Sequence, residues 1–126
     1  MKSTLIIQHH QDDDWKRELE FYVDELAILT SRLSEYIGHN GRQKTQVKAA
    51  QFENEFIKLR EQIDTLAHDI KIRERKVENK AINEPDHVDE EVKTANDKML
   101  EKMMALGGKM VTTRYEFNRF IAKAIL

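Results

Sequence analysis

The chain of 126 residues contains no cysteine, one proline and four glycines. Without thiols it has no disulfide, no thiolate nucleophile and no zinc–thiolate site, and the absence leaves the compartment open. So few turn-forming residues exclude a sheet of many short strands. No apolar run approaches the ~20 residues that cross a bilayer, so no membrane span is expected. Leu5, Ile6 and Ile7 are too short a run for the core of a signal peptide, and the expected location is cytoplasmic. A strong charge of one sign is also missing. The formal net charge of −2 does not favour nucleic acid or an anionic membrane as a bulk partner.

What the chain does have is charge and apolar residues in quantity, 35% and 40% respectively. That mixture is too apolar for a disordered polyampholyte and suits long amphipathic helices. Two turn signals divide it. "GHNG" at 38–41 packs two glycines and an asparagine into four residues, and "NEPDH" at 83–87 holds the only proline, which cannot continue a preceding helix. The expected helices span about 12–37, 43–82 and 86–125. Short connections make neighbours antiparallel, so the prediction is one all-α domain, an elongated up-down-up bundle. Residues 1–10 are read as an N-terminal segment, docked on the bundle or partly disordered.

Each segment carries a heptad stripe. The first runs Trp15, Leu19, Tyr22, Leu26, Leu29, Leu33 and Tyr36, alternating spacings of four and three without a miss. The second runs Phe52, Phe56, Leu59, Ile63, Leu66, Ile70, Arg73 and Val77, with Arg73 its one polar member. The third, from Val88 through Ala95, Met99, Met103, Leu106, Met110, Thr113 and Phe117 to Phe120, slips once between Met99 and Met103, which predicts locally irregular packing. Gly107 and Gly108 fall inside it, each at a cost of about 1 kcal/mol relative to alanine. The expectation is a third helix that continues or kinks there; a break is the alternative.

Charge is placed unevenly. Four basic residues face eight acidic ones in 1–39, and ten face seven in 40–83. Asp12, Asp13 and Asp14 directly precede Trp15 and read as the capping and first-turn acids of helix one. "KIRERKVENK" at 71–80 would close helix two beside those acids, fixing topology by charge. Its interleaved Glu74 and Glu78, and its lack of stacking aromatics, argue against a nucleic-acid surface.

No catalytic set assembles. The Glu-x-x-His pairs of di-iron bundles are absent, and Glu61, Asp64 and His68 fall on the solvent side of helix two. No catalytic residue, cofactor site or metal ligand is assigned, and enzyme activity is not expected. The alternative reading is a metal- or small-ligand-binding bundle that uses the pole where His9, His10 and His87 meet the aspartates.

Some apolar residues lie off the stripes. Phe21 and Ile28 occupy heptad position c of helix one, and Leu5, Ile6 and Ile7 have no assigned place. These five are the expected interaction surface, most simply that of a homodimer. Arg42, Lys44, Lys48, Arg114, Arg119 and Lys123 gather at the opposite pole, a candidate surface for an acidic partner. The sequence therefore predicts a non-enzymatic, self-associating interaction protein.

Overall fold

A computed structural model describes the backbone of residues 2–39 and 43–125, with side chains for 5–38, 45–86, 89–90 and 92–123. Three helices, α1 (Lys2–His39), α2 (Gln43–Asn83) and α3 (Val88–Ile125), pack against one another, and a 3₁₀ turn at Pro85–His87 joins the last two. At ~1.5 Å per residue each helix is about 57–62 Å long. Arg73 of α2 meets Asp12 of α1, while Arg114 of α3 meets Glu25 of α1. Farther along, Tyr36 of α1 meets Phe120 of α3 edge-on. The first and third helices therefore run parallel and the second runs against both, the expected up-down-up order.

The stripes form one core from Trp15 and Ile70 at one end to Leu33, Ala49 and Phe117 at the other. At the latter end the Phe117 ring lies 5.4 Å from Phe52 and 5.3 Å from Phe56, both edge-on, and Phe120 lies 5.2 Å from Phe52. Edge-on pairs add about 0.5–1.5 kcal/mol each to the burial term, which favours this register over a slipped one.

The start of helix one differs from the expectation. It begins at Lys2, ten residues before Asp12, and residues 2–10 are helical instead of forming a separate segment. The physical reason is that the heptad continues toward the N-terminus through Leu5, Gln8 and Asp12, three and four residues apart. Gln8 and Asp12 are buried, and Leu5 packs against a second small cluster of Val77 and Val92. "HHQDDDW" is thus the interior of a helix. Asp12 is no cap, and no acid lies in the first turn of α1.

The third stripe also differs. From Val92 onward it is regular once Asn96 replaces Ala95, because Val92, Asn96, Met99 and Met103 are spaced four, three and four. Asn96 is half-buried and accepts a hydrogen bond from Arg73, so a polar side chain holds the core position. As expected, α3 does not end at its glycines but runs through Gly107 and Gly108 as one helix. A Cβ on Gly107 would stand 3.0 Å from the Tyr22 hydroxyl, so the missing side chain admits Tyr22 of α1. Nothing lies within 4 Å of a Cβ built on Gly108.

Candidate functional site

Exposed apolar side chains occur on all three helices, Val47, Ile57 and Ile82 of α2 among them, and two regions concentrate the departures from a plain apolar bundle with a solvated exterior. The first is a polar layer inside the pole formed by the start of α1, the end of α2 and the start of α3. Asp12, 1% exposed, pairs with Arg73, 7% exposed. Gln8 Nε2 donates to Asp12 Oδ1 at 2.7 Å, and Arg73 Nη1 donates to Asn96 Oδ1 at 2.9 Å. The guanidinium also lies 4.8 Å from the Trp15 ring centroid, a cation–π contact. One polar side chain from each of α1 and α3 thus converges on the arginine of α2. Burial pulls the Arg73 pKa down from its ordinary value, with Glu74 acting the other way. A guanidinium starts so far above neutrality that it stays charged. Just outside, Lys16 Nζ meets Glu74 Oε1 at 2.6 Å.

Beside this layer α1 and α2 leave an open groove of about 370 Å³ floored by Leu5, Val77 and Ala81. Gln8, Asp12 and Glu78 also line it. The Oε1 of Gln8 and the Nε of Arg73 are buried without a hydrogen-bond partner.

The two described histidines of this pole, His9 and His10, face solvent. His9 Nε2 lies 3.6 Å from Asp13 Oδ2 on the solvent side, and the His9 and His10 rings are 6.3 Å apart. The His87 side chain lies outside the described residues. Among the described residues, no three His, Asp or Glu side chains come together as ligands for an ion. The basic run at the end of α2 is likewise interrupted, since Arg73 points into the core and Lys80 pairs with Glu84 at 2.5 Å.

The second region is apolar and exposed. On α1, Phe21 and Ile28 are 59% and 53% exposed, and Ile7 shares their heptad column. Ile6 is exposed beside it, whereas Leu5 faces inward. The structure therefore separates Leu5 from the other four residues of the expected interaction surface. On α3, Leu100, Met104, Val111 and Tyr115 are exposed as well. Their spacing of four, seven and four is a second helical stripe, overlooked beside the core stripe in the sequence although the spacing was its signal.

The two sets border the same seam. Glu25, at heptad position g of α1, accepts from Arg114 of α3 at 2.8 Å, and Tyr22 of α1 reaches Gly107 of α3. Phe21 precedes Glu25 by one helical turn, while Met104 and Val111 lie within one turn of Gly107. Helical geometry thus puts Phe21, Ile28 and the α3 stripe on the outer side of the α1–α3 seam. Tyr22 closes this seam from within. Its hydroxyl donates to Glu18 Oε1 at 2.5 Å. Burial, then that hydrogen bond and the charges of Glu18 and Glu25, push its pKa up to about 12.

The described cations of the opposite pole are dispersed. Arg114 turns to Glu25 on the α1 side, and Lys48 lies 5.6 Å from the Phe52 ring in a groove between α2 and α3 that also holds Glu55 and Glu116. The Arg119 guanidinium rests 5.8 Å from the Tyr115 ring, and Lys123 stands exposed in the last turn of α3. Arg42 and the side chain of Lys44 lie outside the described residues.

Among the described residues no helix is long and apolar enough to cross a membrane. No protein-family model, curated protein or solved structure matches the chain.

Proposed function

We propose that this chain is a non-enzymatic interaction protein, a long-helix bundle that associates with itself through apolar surface beside α1 and docks a further protein partner. Its setting in this reading is the cytoplasm. The observation that carries it is the exposed apolar surface of the α1–α3 seam, where Phe21 and Ile28 stand beside the α3 stripe. A bundle of three helices closes its own core with the inner stripes alone. Large side chains left outside that core, in register along two neighbouring helices, mark a contact surface. Lys48 and Lys123, both exposed at one end of the bundle, would suit a partner with an acidic surface.

Size-exclusion chromatography with light scattering tests the reading. Wild-type protein is expected to shift from monomer toward dimer mass as concentration rises through the micromolar range, and Phe21→Ser with Ile28→Ser to weaken the shift. Both residues are more than half exposed, so the variant keeps its core. A wild type that stays monomeric at high micromolar concentration contradicts the proposal.

A further inference from the structure

The exposed stripe of α3 is symmetric. Leu100 and Met104 precede the point between Gly107 and Gly108 by the same distances at which Tyr115 and Val111 follow it. From that symmetry we infer that a second copy of this chain docks here antiparallel, its α3 crossing the first at Gly107–Gly108 on a two-fold axis. The inference rests on the self-association proposed above and gives it a geometry.

Three observations support the occupant and its direction. An isologous contact needs a surface complementary to itself, and in antiparallel pairing this stripe meets itself in matched layers, Met104 against Val111 and Leu100 against Tyr115. Next, Gly108 sits mid-helix with nothing near its missing side chain. No contact within the chain calls for a glycine at that position, whose cost in a helix is about 1 kcal/mol. A second backbone crossing closely at the axis supplies the reason, since a side chain there would hold it off.

Charge fixes the direction. Glu101 and Arg119 are 18 residues apart, five turns of helix, and so share one outer strip with Asp97 one turn before Glu101. Arg119 leans back over Tyr115, which brings its guanidinium to nearly the same distance after the glycines as Glu101 is before them. Antiparallel pairing sets each copy's Arg119 against the other's Asp97 and Glu101; parallel pairing puts the two strips on opposite flanks and leaves them without each other.

The strip from Asp97 to Arg119 is about 33 Å long, and ~10 Å of width gives only about 330 Å². A standard interface buries roughly 800 Å² per partner. Phe21 and Ile28, on the flank of α1 beside the same stripe, widen the footprint without reaching that figure. The dimer is therefore a weak, concentration-dependent one.

The chain lacks cysteine, which makes engineered cross-links unambiguous. Met104→Cys and Val111→Cys are prepared separately, mixed at high micromolar concentration and oxidised. Across the axis, residues 104 and 111 of opposite chains come within disulfide reach, whereas two copies of residue 104 are offset by about 10 Å along the helices and are not. The expected result is a disulfide dimer from the mixture, at least tenfold more abundant than from either variant alone. Cross-linking of single variants only would show a parallel arrangement and overturn the inference. A light-scattering dimer that gives no 104–111 cross-link overturns this geometry while leaving self-association standing. A monomer in both assays overturns both.

Discussion

Arg73 and Asp12 meet inside the bundle, one from α2 and one from α1, both less than a tenth exposed. Neither charge is accessible enough to bind a partner in this arrangement, so the pair acts on the fold. Three parallel-sided stripes of Leu, Ile, Met and Phe can slide by a heptad and still bury apolar surface. A buried ion pair bonded to Gln8 on one side and Asn96 on the other matches only in one alignment.

Breaking that pair from one side is therefore expected to be severe. Arg73→Met leaves Asp12 buried without its counter-charge and should cost about 3–5 kcal/mol in denaturant unfolding. The double variant Asp12→Leu with Arg73→Met should recover most of that loss while lowering alignment specificity. A single-variant cost below about 1 kcal/mol would mean that water reaches Asp12.

The early start of α1 has its own test. Amides of residues 9–15 should exchange slowly with solvent, since each has a helical acceptor four residues earlier. Were Asp12 the cap of the helix, the amides at its first turn would lack such acceptors and exchange quickly. Hydrogen-exchange mass spectrometry or NMR reads the difference directly.

How far this could be read from sequence follows from which residues fill the core positions. Where leucine and aromatic residues hold them, as from Trp15 to Tyr36, the stripe and the packed helix coincide. Where Leu5, Gln8 and Asp12 continue the same spacing, two polar residues in three conceal the pattern, and three adjacent aspartates imitate a helix start. Asn96 hides in the same way beside Ala95. Arg73 announced itself because its neighbours on both sides are apolar, yet its partner had to come from another helix. That pairing depends on tertiary structure, which periodicity along a single helix does not contain. The α3 stripe could be found from spacing alone, but only after the inner stripe had been assigned its own face.

The two glycines should respond differently to alanine, measured at concentrations low enough to keep the chain monomeric. Gly108→Ala meets open space and should raise stability by up to about 1 kcal/mol through helix propensity. Gly107→Ala brings a Cβ to 3.0 Å from the Tyr22 hydroxyl, and should gain less or lose. Adding Tyr22→Phe removes that oxygen and should restore the gain to Gly107→Ala, a coupling readable in a double-mutant cycle.

Tyr22 also gives the fold a signature in alkali. Its folded pKa of about 12 lies above the ordinary 10.0, so the folded state holds the phenol proton more tightly than the unfolded chain. Its contribution to stability is complete below pH 10 and is lost as pH rises toward 12. Ultraviolet titration should show the Tyr22 phenol ionising late, and Tyr22→Phe should remove that phase. The fall of stability between pH 10 and 12 should be shallower in the variant.

Sedimentation velocity of the full chain, from low to high micromolar concentration, tests the central claim most directly. The account predicts a reversible shift from monomer to dimer, weakened by Met104→Glu in the exposed α3 stripe. A single monomeric boundary across the whole range would contradict it.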